Sequence, residues 1–165
     1  MSTRETLGTR MNLATPTKTH VLLIEQDDVV RNQLARQLKA AEYETVSVAT
    51  LSEALERFYS GFIDAALVDL RLTAGEGWDV IDQMIAINPC LPIVALCSPD
   101  AKPASMARAT AALERPIAPK LLVETVTRLV APLTEARRRR SGSTGPILVT
   151  ADAQAWQRQA LLNHR

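Results

Sequence analysis

The sequence predicts an α/β protein in which helices cover both faces of a parallel β-sheet. Two observations favour this class: short, continuously apolar runs recur along the chain, and segments with apolar residues at helical spacing lie between them. Strands that alternate with helices form right-handed βαβ units around one sheet. The chain has 165 residues, 47% of them hydrophobic, which is enough for one domain with a full core plus appendages.

Five short apolar runs are the predicted strands. The first run ends in acidic residues, the third ends on Asp69, and the fifth has only three residues. In chain order the strands are residues 21–24, 45–49, 65–70, 92–97 and 111–113. In parallel sheets the functional groups lie at the carboxyl ends of the strands. Here those ends carry an acidic cluster opposite a cation, Arg115.

Four segments carry apolar residues at helical spacing and are the predicted helices. In chain order they cover residues 29–38, residues 51–59, a segment after Gly77 and a segment that begins at Pro119. Thr50 and Glu53 form a predicted capping box at the start of the second helix. Proline suits the first position of the last helix, which is expected to run into a row of four arginines.

The charge is divided unevenly along the chain. Residues 137–165 hold six arginines and one aspartate, a net charge of +5, which leaves 13 basic and 17 acidic residues in the first 136, a net charge of −4. An acidic body with a basic tail implies an anionic partner that meets the tail. We therefore divide the chain into a flexible leader (residues 1–18), a globular domain (residues 19–136) and a basic tail (residues 137–165).

Composition also argues against several classes of protein. No apolar run approaches the roughly 18–20 residues of a membrane span, and the first residues lack the apolar centre of a secretory signal. We therefore expect a soluble cytoplasmic protein without membrane insertion. Cys90 and Cys97 lie near predicted strands and are expected to be buried free thiols, not a disulfide or a zinc site.

Residues of about 20 to 132 resemble a receiver domain of the CheY-like response-regulator family. The matching stretches are Val21 to Asp28 with Arg31, Asp64 to Leu70, Gly75 to Gly77, Pro92 to Leu96, and Arg115 with Pro116. The resemblance implies a (βα)5 flavodoxin-like fold with a five-stranded parallel sheet. It also implies that acids after the first strand and an aspartate on the third hold Mg²⁺ for phosphoryl transfer.

The functional positions nevertheless depart from the family pattern. The paired acids after the first strand are Glu25 and the neutral Gln26, while the resemblance places the phospho-acceptor at Asp69. The switch positions, a hydroxyl and a lysine in the family, are Cys97 and Arg115. A thiol is a weak donor, and arginine presents a rigid fork in place of a mobile ammonium. Together the changes indicate phosphorylation chemistry that is weakened or lost.

Asp69 has two interpretations. It is either a retained phospho-acceptor or a structural acid that pairs with Arg115, and we favour the pair because it satisfies both buried groups without a metal. The candidate Mg²⁺ ligands are Glu25, Asp27 and Asp69, with Asp27 standing in for Gln26. The substitutions predict that this metal site is weak or lost.

The tail combines groups that recognise guanine nucleotides. Arginine binds guanine N7 and O6 or phosphate, an indole stacks on a base, and a carboxylate accepts from guanine N1–H and the N2 amino group. Asp152 and Trp156 lie one turn apart on a predicted final helix. The candidate ligand-binding residues are Arg137, Arg138, Arg139, Arg140, Ser141, Gly142, Asp152, Trp156 and Arg158.

The tail resembles the arginine-rich extension of the Cle group of CheY-like proteins. The resemblance is carried by residues 137–149 and continues through Asp152, Trp156 and Arg158. It implies a non-enzymatic cyclic di-GMP effector that docks on a protein partner, such as the flagellar motor or surface-attachment machinery. Because the tail has little apolar area, we expect it to be disordered until the ligand binds.

Three other interpretations remain open. In the first, the chain is a conventional phosphorylatable single-domain response regulator acting through Asp69. In the second, the arginine row binds nucleic acid, although the folded segment of the tail is too short for a helix-turn-helix. In the third interpretation the arginine row is the solvated end of the last helix.

Overall fold

Five parallel strands and four α-helices alternate along the residues that the computed structural model describes, which are 18–72, 76–100 and 108–141. The strands are β1 (His20–Ile24), β2 (Glu44–Val48), β3 (Ala65–Asp69), β4 (Ile93–Cys97) and β5 (Ala111–Glu114). The helices are α1 (Asp28–Ala40), α2 (Leu51–Ser60), α3 (Glu76–Ile87) and α4 (Pro119–Ser141). All the predicted elements are present, with ends shifted by only a residue or two, so the α/β class is confirmed.

The strand order is β2-β1-β3-β4-β5, and every neighbouring pair is parallel. The chain winds from β1 outward to β2, then crosses to β3 and continues to the opposite edge. The winding direction therefore reverses between β1 and β3. At such a reversal the connections after the two strands diverge and leave a crevice at their carboxyl ends.

Helices on both faces of the sheet create two core layers. On one face, representative members of the layer are Leu23 and Leu67 of the sheet, Leu38 of α1, and Leu122 and Val126 of α4. On the other face they are Leu22, Ile24 and Val68 of the sheet with Ile81 and Met84 of α3. Because both faces are covered, β1, β3 and β4 are continuous apolar runs without the alternation of a half-exposed strand.

The start of α2 contains a modified capping box. The Thr50 hydroxyl accepts from the backbone N–H of Glu53 at 3.3 Å, as predicted. The Glu53 carboxylate, however, accepts from the N–H of Ala49 at 3.0 Å, one residue before the cap. Two N–H groups at the start of the helix are satisfied in this way.

The connection from β4 to β5 departs from five complete βα units. Its described parts, residues 98–100 and 108–110, contain no α-helix, and residues 101–107 lie outside the described part of the chain. Within the part of the chain that the structure describes, the expected (βα)5 unit therefore has five strands and four helices.

The two cysteines differ in exposure. Both are free thiols, but Cys97 at the end of β4 is buried and Cys90 is exposed. The prediction that both are buried is wrong for Cys90, because this residue lies in the turn between α3 and β4. Such turns run over the surface of a domain.

Helix α4 continues beyond the core. Among the α4 residues whose side chains the structure describes, up to residue 136, Val130 is the last buried one, and residues 131–136 are exposed or half-buried. At about 1.5 Å per residue, residues 131–141 extend the helix by about 16 Å, so the prediction that it runs into the arginine row is confirmed. Neither α4, with its 23 residues, nor any other helix in the described ranges is long and apolar enough to cross a membrane.

Candidate functional site

The carboxyl ends of β1 and β3 border an open cleft of about 440 Å³. Its lining residues are Glu25, Gln26, Asp27, Asp69 and Arg71. The three residues after β1 enter it directly from the strand end, and Asp69 is the last residue of β3. The reversal of winding thus brings together the acids that the sequence places at two separate strand ends.

Arg115 enters this acidic group from the loop after β5. Its Nη2 donates to Glu25 Oε2 and lies 3.1 Å from Asp69 Oδ1, so one nitrogen contacts both carboxylates. The side chains of Glu25 and Asp69 are 0% and 1% exposed, and that of Arg115 is 14% exposed. Its backbone N–H donates to the Cys97 carbonyl at 2.9 Å, which fixes the loop against β4. The three groups therefore form a buried ion triad.

The carboxylates also accept from the backbone. Glu25 Oε1 accepts from the Asp27 N–H at 3.0 Å. Asp69 Oδ1 accepts from the Arg71 N–H at 3.0 Å, and Arg71 Nε lies 3.5 Å from the same oxygen. Each buried carboxylate is thus compensated by at least one guanidinium and one N–H, as a buried charge requires.

Asp27 has a local structural role. It is the N-cap of α1, and its Oδ1 accepts from the N–H groups of Val29 at 2.9 Å and Val30 at 3.0 Å. The hydrogen bond from Val30 is the main reason that the pKa of Asp27 lies below its ordinary value. One oxygen of its carboxylate is therefore engaged by the start of α1, although the residue also lines the cleft.

The predicted Mg²⁺ ligands do not fit a metal site in this geometry. In the described ranges, no group of three or more His, Cys, Asp or Glu side chains is arranged to hold a metal ion. Mg²⁺ requires near-octahedral oxygen ligands and room for its waters. Here Arg115 is shared between Glu25 and Asp69, and Asp27 caps α1.

Burial dominates the titration of Glu25. It raises the pKa of this carboxyl above the ordinary value of 4.5, and the hydrogen bond from Arg115 offsets the effect only in part. For Arg115, burial alone would lower the pKa, but the hydrogen bond and charge of Glu25, followed by those of Asp69, raise it above its ordinary value. The guanidinium is therefore charged at every physiological pH.

The two predicted switch positions meet at the same edge of the sheet. Cys97 is the last residue of β4, and its thiol donates to the Leu113 carbonyl of β5 at 3.5 Å. Burial raises the pKa of Cys97, so the group stays a neutral thiol. The Cys97 thiol links β4 to β5. It does not line the cleft, so it does not replace the hydroxyl donor that the family has at this position.

Two arginines of the site were not predicted. Arg71 lines the cleft beside Asp69, and Arg31 of α1 donates to the carbonyls of Glu25 at 2.8 Å and Gln26 at 3.2 Å. The sequence does carry a signal for Arg71, because an aspartate often accepts from the N–H two residues further on. Arg31 belongs to the receiver resemblance, but no pattern in the sequence indicated its contacts with these carbonyls.

Most of the predicted ligand-binding tail lies outside the described residues. Arg137, Arg138, Arg139, Arg140 and Ser141 form the last turns of the α4 backbone. Gly142, Asp152, Trp156 and Arg158 lie outside the described residues, as does the leader up to residue 17. Their assignment stays a prediction.

Comparison with known proteins gives the family and the fold. Residues 21–127 match the model of the response regulator receiver domain. A receiver domain protein from Methanospirillum hungatei is 20% identical, with a TM-score of 0.66 over 73% of this chain and 98% of that one. A putative response regulator from Chloroflexus aurantiacus is 28% identical, with a TM-score of 0.64 over 69% of this chain and 98% of that one.

One curated relative is much longer than this chain. A cyclic di-GMP phosphodiesterase from Thermotoga maritima is 32% identical over 69 residues, which are 42% of this chain. The match spans only 18% of that protein.

Proposed function

Because the chain belongs to the response regulator receiver family, we propose that it is a signalling adaptor whose basic tail, residues 137–165, binds cyclic di-GMP. The observation that carries the proposal is the continuation of α4 past Val130. The four consecutive arginines, residues 137–140, continue the backbone of this helix beyond the positions that are buried in the core. The four arginines give this end of the helix a positive charge although the body is acidic, and a concentrated positive charge suits an anionic ligand.

The chemistry of the tail favours a dinucleotide with two guanines and two phosphates. The arginines of the row supply forks for guanine N7 and O6 and charges for phosphate. Asp152 distinguishes guanine from adenine, because adenine lacks the N1–H and N2 donors. Trp156 supplies a stacking surface. The Thermotoga relative is a cyclic di-GMP phosphodiesterase, so a similar receiver segment occurs in a protein that acts on this dinucleotide.

In this proposal the protein is not an enzyme and acts by docking on a partner. Ligand binding orders the tail and creates a surface for a protein partner, for which the resemblance to the Cle group indicates the flagellar motor or surface-attachment machinery. Net charge argues against non-specific nucleic-acid binding by the body, which is acidic. We expect the protein to act in the cytoplasm, where cyclic di-GMP signals.

Calorimetric titration of cyclic di-GMP into the full-length chain tests the proposal. We expect saturable binding that weakens in Trp156→Ala by about 1–3 kcal/mol, the usual value of a base–aromatic stack. Asp152→Ala should lose the preference for cyclic di-GMP over cyclic di-AMP. Arg108→Ala is the matched control, because Arg108 is an exposed body arginine paired with Asp82 at 2.7 Å.

Two results would contradict the proposal. The first is the absence of saturable binding to the full chain. The second is binding that Trp156→Ala and Asp152→Ala leave unchanged while Arg108→Ala weakens it, because the body would then be the receptor. A parallel titration with GMP shows whether a single guanine nucleotide is sufficient for binding.

The second candidate function is phosphorylation on Asp69. It is favoured by the position of Asp69 at the end of β3, on the wall of the cleft. The ion pair with Arg115 and the 1% exposure of the side chain oppose it. Incorporation of phosphate from a small-molecule donor with Mg²⁺, lost in Asp69→Asn, would establish this function.

A further inference from the structure

The charges of the cleft balance without a metal ion. Two buried carboxylates, Glu25 and Asp69, are matched by two guanidinium groups. Arg115 contacts both acids through Nη2, and Arg71 Nε lies 3.5 Å from Asp69 Oδ1. Asp27, the third acid, is exposed and accepts from the start of α1. Side chains therefore supply all the positive charge that the buried carboxylates need.

Arg115 lies at the position that a cation shared by the two carboxylates has to take. A single nitrogen, Nη2, bridges Glu25 Oε2 and Asp69 Oδ1. The backbone of the residue is tied to β4 by its N–H bond to the Cys97 carbonyl, and its side chain is 86% buried. A guanidinium is planar and permanently charged, so it cannot vacate the site by losing a proton.

We propose that Arg115 is the permanent cation of this acid site, in place of Mg²⁺, and that it keeps Asp69 from accepting a phosphoryl group. A phosphoryl group on Asp69 would add about two negative charges beside buried Glu25. The one guanidinium bridging the acids is already shared, and the neutral Gln26 removes a ligand with which a metal could be recruited to screen them. The body is then a scaffold in a single state. This inference does not depend on the ligand of the tail.

Calorimetric titration of MgCl₂ into the full-length chain and three variants tests the inference. Arg115→Gln removes the charge, and Arg115→Lys keeps it on a flexible stem that can move aside. Arg108→Gln, which breaks a surface pair with Asp82, is the matched control. We expect no saturable binding to the native chain or to the control. Arg115→Gln should show saturable Mg²⁺ binding, about tenfold or more tighter than any residual binding by the native chain, because a positive charge beside the ligands is gone.

A second substitution locates any gained site. Glu25→Gln in the Arg115→Gln background should abolish the Mg²⁺ binding that the single variant gains, since Glu25 is one of the two buried acids. If Arg115→Gln does not fold, Arg115→Lys takes its place in both titrations. Beryllium fluoride, a phosphoryl mimic, is added with MgCl₂ to the native chain as an independent readout and should not bind.

Each possible result either supports or overturns the role assigned to Arg115. Saturable binding of Mg²⁺ or of beryllium fluoride by the native chain would overturn the inference. So would a failure of both Arg115 variants to gain Mg²⁺ binding, because the acids would then not form a latent metal site. Gain in an Arg115 variant that is lost with Glu25→Gln supports it. Cyclic di-GMP binding is not part of this test, so either proposal can fail without the other.

Discussion

Replacement of Arg115 by methionine should destabilise the domain strongly. Methionine replaces the apolar stem of the arginine side chain but lacks the guanidinium and its charge, so the substitution leaves Glu25 and Asp69 buried without their shared cation. At 3.1 Å and an effective dielectric constant of about 20, the Asp69 pair alone is worth about 5 kcal/mol of Coulomb attraction. The loss of Arg115's own desolvation cost offsets part of this. We expect a net loss of about 3–5 kcal/mol, typical of breaking a buried ion pair from one side.

Urea unfolding followed by circular dichroism measures the loss. Arg108→Met is the control: it breaks a pair of similar distance, 2.7 Å, but Arg108 and Asp82 are 56% and 48% exposed. Exposed pairs contribute about 0–1 kcal/mol, so the control should stay close to the native stability. The double variant Arg115→Met with Glu25→Gln should recover part of the loss, because one of the two uncompensated charges is then removed.

If Arg115→Met loses no more stability than Arg108→Met, then Arg115 does not stabilise the buried acids as we predict. That result would mean that water in the cleft solvates Glu25 and Asp69 well enough to replace the guanidinium. A Glu25→Gln substitution that lowers the stability of Arg115→Met still further would refute the prediction as well, since it would show that the Glu25 charge is not the source of the penalty.

Three further predictions follow from the same geometry. Gly77→Ala should cost about 1–3 kcal/mol in urea unfolding, because its Cβ would lie 2.7 Å from the Asp69 carbonyl oxygen; unchanged stability would contradict this. Brief treatment with a thiol reagent should add one label by mass, on exposed Cys90, whereas Cys97 is buried with a raised pKa; a label that persists in Cys90→Ser would contradict this. Because burial raises the pKa of Glu25, the folded state favours the protonated carboxyl, and this contribution to stability is full below pH 4.5. It is lost as pH rises through the folded pKa, so urea unfolding should show the native chain losing stability relative to Glu25→Gln over that window.

The elements of the fold could be predicted closely because their signals are local. Buried parallel strands have continuous apolar runs, and Thr50 and Pro119 are strong helix-start residues. The failures occurred where neighbours in space decide the structure. Cys90 was taken for a strand-associated core residue, although the strand begins at Ile93. Glu53 reaches Ala49 instead of its cap, a detail of side-chain geometry that spacing does not specify.

The candidate site was predicted in part. The pairing of Asp69 with Arg115 was the favoured interpretation, and the structure has this contact at 3.1 Å. The bond from Arg115 to Glu25 was not foreseen, and Asp27 was expected to assist metal binding although it caps α1. A capping aspartate and a metal-binding aspartate look the same in one sequence, because the difference lies only in which donor is nearest.

The sequence by itself determined the alternation of strands and helices, the residues at the carboxyl ends of the strands, and the separation of an acidic body from a basic tail. These properties depend on residue type and on spacing over a few positions. Only the tertiary structure decided that Arg115 joins Glu25, 90 residues away, to Asp69. That contact depends on strand order and register, which result from packing both faces of the whole sheet at once, and no local pattern contains that information.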